Sequence, residues 1–248
     1  MKAIKYTVAI IAVILGSLVL INGYTATIPL KWQLAYTSSK TEEIEKWIPA
    51  VVPGAVQLDI ARAENYGPFY YGENWKDYLW MEDKYYTYRT VFAMPVLKSG
   101  ERVVFVSKGI DYEFEIFLNN EKLFYQEGMF TPVSLDLTEK LMSANDLRII
   151  IHPVPKKYPY PSDRGQAANV VKPAVSYGWD FHPRLVPLGI WDETYLEIQP
   201  SSYLENVNIN CRLNDGFNKA SLKIEAEGRN LKGTFYTWRL FDSENKEV

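Results

Sequence analysis

Fifteen consecutive residues, YGWDFHPRLVPLGIW (177–191), bring together two tryptophans, an aspartate, a histidine, an arginine and two prolines. Neither the helical nor the strand period runs through them, so no repeating buried face explains their composition. A sugar presents a patch of C–H bonds on one side and a rim of hydroxyls at its edge. The Trp179 ring suits the first and the Asp180 carboxylate the second. A charge-assisted hydrogen bond of that kind contributes about 1.5–3 kcal/mol once desolvated. His182 and Arg184 complete a set of four substrate-binding candidates. Each also has a plainer reading. Trp179 can pack beneath a loop, Asp180 can cap a turn, His182 beside Pro183 can be a satisfied structural group, and Arg184 can pair with Asp180 or Asp192. No serine or cysteine motif accompanies His182, and the only other histidine is His152. Nothing has the spacing of a metal site, and nothing calls for a cofactor.

Short strands must position these residues. Residues 86–95 (YTYRTVFAMP) are aromatic and β-branched up to a proline, and 101–109 (ERVVFVSKG) follow a Ser-Gly turn. Within 111–128, Phe114, Ile116 and Leu118 alternate with Glu113 and Glu115, and Asn119-Asn120 can supply the positive φ angles of a hairpin turn. Two further strands, 146–153 and 193–200, each stop at a proline. The series predicts an all-β antiparallel sandwich. Helix is expected only over 41–47 (TEEIEKW) and 55–64 (AVQLDIARAE). Gly189-Ile190-Trp191 reads as structure: a close approach, a core filler, and the start of the closing strand. The Tyr-rich stretch 66–88 reads as core and sheet face, with one or two rings along a groove. Residues 153–176 carry five prolines and little periodicity, and so long a loop in a compact domain is more often functional than idle. Its basic part, 156–164, is either a solvated loop, a cover for the sugar site or a contact with another domain.

The 248 residues are 47% hydrophobic and 23% charged, enough apolar mass for one full core and part of a second. A formal charge of −3 with scattered basic residues leaves no electrostatic footprint for a nucleic-acid partner. Lys2 and Lys5 precede the apolar run 7–21, and Gly23, Thr25 and Ala26 follow it, which is the pattern of an export signal over 1–25. A retained membrane anchor is the alternative, and no other membrane association is expected. The mature chain is accordingly placed in the periplasm or outside the cell. Cys211 is the single cysteine, so stability must come from the core without an intrachain disulfide. Near Pro200-Ser201-Ser202 a first domain, 26–200, gives way to three strand-like segments, 203–213, 219–229 and 233–248. A sandwich needs about seven strands, so the chain is expected to stop within a second domain.

The same residues resemble the start of glycoside hydrolase family 2, in its β-mannosidase branch. IPAVVPGAVQLDI (48–60) is similar to the branch's Val-Pro-Gly segment and short helix. PFYYGENW (68–75), Trp80, Glu82 and YYTYRTVF (85–92) resemble its aromatic lead into the next strand, and 108–141 resembles an Asn-containing hairpin followed by a Gly-x-Phe-x-Pro strand. The run 171–198 is similar to the one that brings a loop of this domain to the active site. The resemblance implies a jelly-roll (galactose-binding-like) β-sandwich followed by the first strands of an immunoglobulin-like β-sandwich. It also implies a glycan or glycoside substrate, with the aspartate matching Asp180 reaching the sugar. A retaining exo-glycosidase of this kind needs two carboxylates, one protonating the leaving oxygen and one attacking the anomeric carbon. The resemblance places both on a (β/α)₈ barrel domain, so no catalytic residue is expected in this chain. Val171-Lys172 stands where the branch has Arg-Lys, and Phe181-His182 where it has Trp-Gly. Glucosaminides, galactosides and glucuronides are therefore alternative substrates. A stand-alone carbohydrate-binding module, or a scaffold domain whose loop no longer binds, are the alternative roles.

Overall fold

A computed structural model of the chain describes residues 25–156, 164–233, 239–241 and 245–247. The expected export signal, most of the 156–164 stretch and most of the expected strand over 233–248 lie outside the described residues. The chain divides into two compact units: Thr27–Leu97 with Arg102–Ile198, and Lys98–Glu101 with the residues from Gln199 onward.

Alternating β-branched and aromatic residues dictate most of the elements. In chain order the strands begin with β1 (Ala26–Pro29), β2 (Trp32–Thr37), β3 (Ile48–Ala50), β4 (Tyr85–Ala93), β5 (Arg102–Ser107), β6 (Ile110–Asp111) and β7 (Glu113–Leu118). They continue with β8 (Glu121–Glu127), β9 (Val133–Asp136), β10 (Ala144–Ile151), β11 (Gly189–Ile190), β12 (Thr194–Gln199), β13 (Tyr203–Leu213) and β14 (Ala220–Arg229). The first unit is a sandwich of two sheets, ordered β3-β2-β4-β10-β7-β8 and β1-β12-β5-β9, with β6 and β11 as a small separate pair. Leu147, Ile149 and Ile151 of β10 point inward, as do Phe114, Ile116 and Leu118 of β7. They share one buried apolar cluster with Val103, Phe105, Val133 and Leu196 of the other sheet. Each fully buried side chain of this size contributes about 1.5–3 kcal/mol. The Asn119-Asn120 turn takes φ values of 51° and 69°, which returns the chain from β7 into β8 as the residues predict.

On the opposite face of the larger sheet, register places Arg148 of β10 directly across from Arg89 of β4. Like charges in that position would repel. Asp146 removes the conflict by accepting from Arg89 Nε at 3.0 Å and from Arg148 Nε and Nη2 at 3.0 and 2.8 Å. Burial alone would raise the Asp146 carboxyl, but the two guanidinium groups hold it below the usual carboxylate range.

Helix α1 (Val56–Glu64) forms where the sequence places it and ends at Asn65 in the left-handed region, φ 58°. The other expected helix, 41–47, does not form. Its charged residues lack an apolar stripe, and Glu42 and Lys46 meet backward or remote partners instead. Glu42 accepts from the Ser38 and Ser39 amides at 2.7 and 3.2 Å, Lys46 lies 3.9 Å from Glu64, and Trp47 sits under the Arg89 guanidinium at 5.6 Å. In the second unit β13 and β14 form one long antiparallel hairpin with an irregularity between Leu204 and Asn206, and Cys211 is exposed on it.

Candidate functional site

Three sets of contacts fasten the 171–191 segment to the first unit. Lys172 reaches into the interior, where its ammonium pairs with Asp111 of β6 and donates to the Pro187 carbonyl at 2.8 Å. The two side chains are 0% and 3% exposed, so the pair is dry. Burial pushes the Asp111 carboxyl above its ordinary value and the Lys172 ammonium below its own, while each charge pulls the other back.

The second set lies at the start of α1. Gly54 N donates to Ile190 O at 2.8 Å and Val56 N to Leu188 O at 2.9 Å. The buried Gln57 amide completes the ladder, donating to Val186 O at 3.0 Å and accepting from Leu188 N at 3.4 Å. Gly189 is obligatory here. Its φ is +141°, and a Cβ would sit 3.0 Å from both the Gly54 carbonyl and the Tyr88 hydroxyl.

Arg184 makes the third. Neither Asp180 nor Asp192, the partners expected for it, receives its guanidinium. Glu82 does, through Nε at 3.2 and 3.1 Å and Nη2 at 3.0 Å, while Nη1 donates to the Tyr177 carbonyl at 3.2 Å. The cause is the 3₁₀ segment Asn74–Asp83, whose end carries the buried Glu82 under the loop. Asp192 instead accepts from the Glu193 amide at 2.7 Å. Glu82 also pairs with Lys156 at 2.7 Å, so one carboxylate ties two loops together.

Above this base the chain narrows to a turn. Leu185 N donates to Ser176 O at 2.9 Å, Gly178 adopts φ +113°, and Trp179 and His182 exchange backbone hydrogen bonds of 2.9 and 3.2 Å. Asp180 and Phe181 form the tip. Asp180 is exposed and has no hydrogen-bond or ion-pair partner among the described residues. Phe181 is 81% exposed. One face of Trp179 is covered by the Arg164 guanidinium, 3.4 Å from the ring centroid, yet the residue remains 42% exposed. His182 is half-buried and its Nδ1 has no partner. The structure thus gathers Trp179, Asp180 and His182 on the turn and sets Arg184 below it, engaged with protein.

Trp191 is not the start of the closing strand. It falls between β11 and β12, partly exposed, donating to Met129 O at 3.2 Å with its edge toward Phe130 at 5.9 Å. Glu82, Asp111 and Gln57 are the anchoring residues whose roles sequence reasoning missed. Their partners lie 102, 61 and 129 positions away, beyond any local pattern. A separate open groove of about 720 Å³, lined by Tyr66 and Trp80 among others, includes no residue of 177–191. Among the described residues no group of three His, Cys, Asp or Glu side chains is placed to hold a metal, and no helix is long and apolar enough to cross a membrane.

A two-sheet antiparallel sandwich presenting an aromatic–acidic turn from a locked loop is a domain type in which loops, rather than strands, carry recognition. The family described as glycosyl hydrolase 2 galactose-binding domain-like matches residues 32–192, and the chain belongs to it. Beta-mannosidase B of Aspergillus flavus is 28% identical over 185 residues, covering 68% of this chain and 22% of that protein. The enzyme of the same name from Emericella nidulans is 25% identical over 224 residues, covering 81% and 26%. Among solved structures, beta-D-mannosidase from Dictyoglomus thermophilum superposes with a TM-score of 0.68 at 25% identity, covering 82% of this chain and 26% of that one. The exo-chitosanase of Amycolatopsis orientalis shares the fold, with a TM-score of 0.62 at 16% identity over 85% of this chain and 25% of its own. The chain therefore spans about a quarter of the length of these relatives, and its similarity is to the galactose-binding-like domain of β-mannosidases.

Proposed function

We propose that this chain is the N-terminal, non-catalytic module of an exported, retaining β-mannosidase-like exo-glycosidase, and that its 179–182 turn forms one wall of the sugar pocket. The observation that carries this reading is the Asp180 carboxylate, exposed at the tip and unpartnered, on a loop whose base is fixed by buried polar contacts. An acceptor already held in place loses little freedom when sugar hydroxyls reach it, which favours binding. Trp179 offers ring surface to the C–H face of the same sugar, and His182 a polar edge beside it. Arg184 serves by holding the loop through Glu82. In this reading β13 and β14 open an immunoglobulin-like domain. The paired carboxylates, about 5–5.5 Å apart in a retaining enzyme, belong to a (β/α)₈ barrel that follows it. Residues 1–25 direct the protein to the periplasm or beyond.

The test uses the full-length enzyme. Asp180→Ala is expected to lower kcat/KM on an aryl β-mannoside about tenfold to hundredfold, the loss of one charge-assisted hydrogen bond in the transition state. Unchanged turnover would reduce the module to a scaffold. The same variant assayed on β-glucosaminide, β-galactoside and β-glucuronide identifies the sugar by where the loss is greatest. For export, the mature protein should be recovered outside the cytoplasm with its N-terminus near residue 26, and an intact Met1 in the cytoplasmic fraction would refute it.

A further inference from the structure

The 720 Å³ groove lies between the end of α1 and the 3₁₀ segment Asn74–Asp83, with Tyr66 and Trp80 among its walls. Neither ring is free to turn away. Tyr66 stands edge-on to Tyr78 with centroids 5.5 Å apart, and the Tyr78 hydroxyl donates to Gly67 O at 2.7 Å. Trp80 lies 5.0 Å from Tyr36, whose hydroxyl donates to Glu64 at 3.1 Å. The backbone beneath is fixed as well: Tyr66 N closes the helix end on Ala61 O at 3.0 Å, and the Asn74 amide donates to Pro68 O at 3.0 Å.

The polar groups of the groove behave differently. The Asn65 amide and the Asp77 carboxylate are both exposed and have no hydrogen-bond or ion-pair partner among the described residues. Lys76 is already held by Glu73 at 2.6 Å. Immobilised rings beside uncommitted hydrogen-bonding groups match a ligand with apolar faces and hydroxylated edges. A purely apolar ligand would leave Asn65 and Asp77 to lose water without compensation. With Lys76 committed to Glu73, the uncompensated Asp77 carboxylate repels an anionic ligand and accepts from the hydroxyls of a neutral one, and a groove open to solvent suits a chain of sugars rather than a single enclosed one.

We propose that this groove binds a neutral oligosaccharide, with Tyr66 and Trp80 stacking on pyranose faces and Asn65 and Asp77 bonding to hydroxyls. The inference does not depend on the reading of the 179–182 turn. Calorimetric titration of the full chain with mannohexaose, cellohexaose and xylohexaose tests it. At least one probe should bind, and Trp80→Ala and Asp77→Ala should each weaken that affinity about tenfold or more. Asp77 is exposed and unpaired, so its variant keeps the fold and remains decisive if Trp80→Ala does not. No heat with any of the three probes, or full affinity in Asp77→Ala, would each overturn the proposal.

Discussion

The base and the tip of the 171–191 segment are built from the same kinds of side chain and use them in opposite ways. At the base, Lys172 and Arg184 are buried and matched to Asp111 and Glu82, and Gly189 admits a backbone contact that no other residue could. At the tip, Asp180 and Phe181 face solvent with nothing to satisfy or cover them. Buried charge left unmatched would be expensive, so the base tolerates little change. Exposed charge is nearly neutral for folding, so the tip is free to be set by what it meets. Placing an exposed turn on a base of this kind fixes where the turn points without committing its own polar groups.

That contrast can be broken at its strongest point by Lys172→Met. The substitution leaves Asp111 buried without its cation and should destabilise the sandwich by about 3–5 kcal/mol in urea unfolding. Adding Asp111→Leu should restore most of the loss, and a neutral single variant would show that the pair does not hold the base. Arg184→Ala should cost less, about 2–3 kcal/mol, because Lys156 remains beside Glu82 as a second cation. Its signature beyond stability is faster proteolytic cleavage within 177–188, with cleavage elsewhere unchanged.

A third buried carboxylate, Glu115 on the outer face of the larger sheet, extends the comparison to pH. Burial would raise it, but hydrogen bonds and charge from Lys122 and Lys40 outweigh that and bring it down to about 2. Its other charged neighbours are His152, 3.7 Å away, and Glu113, which His152 contacts at 3.1 Å. A folded-state value below the ordinary 4.5 means the stabilisation is complete above about pH 4.5 and is lost as pH falls through about 2. Screened by solvent at the sheet face, the shift should make about 2 kcal/mol disappear across that window, and the double variant Lys40→Met, Lys122→Met should flatten it. The smallest effect is expected at the tip: Asp180→Ala should leave unfolding within about 0.5 kcal/mol of the parent chain. A larger change would mean that the carboxylate has a structural partner after all.

Much of the sandwich is legible in residues 85–151, where alternation of apolar and polar side chains is local and each strand ends at a turn residue. Asn119-Asn120 is the clearest case, since a tight hairpin needs positive φ at both positions and asparagine accepts it. The 41–47 segment misleads for the converse reason. Helix-favouring Glu42 and Lys46 are drawn to the Ser38 and Ser39 amides and to Glu64, and without an apolar stripe nothing opposes the recruitment. Within 177–191 the odd composition marks an irregular segment, but the roles inside it separate only in three dimensions. Arg184 looks equally able to meet Asp180, Asp192 or a ligand until Glu82 is seen beneath it.

By itself the sequence determined the strands between 85 and 151 and that over 193–200, the α1 helix and membership in the glycosyl hydrolase 2 galactose-binding-like family, because these depend on neighbours a few residues apart or on motifs in order. Tertiary structure alone decided which charges are spent and which are left over. Lys172 finds Asp111 and Arg184 finds Glu82 across 61 and 102 positions, and an ion pair is set by ångströms of separation and by exclusion of water, neither of which is written along the chain.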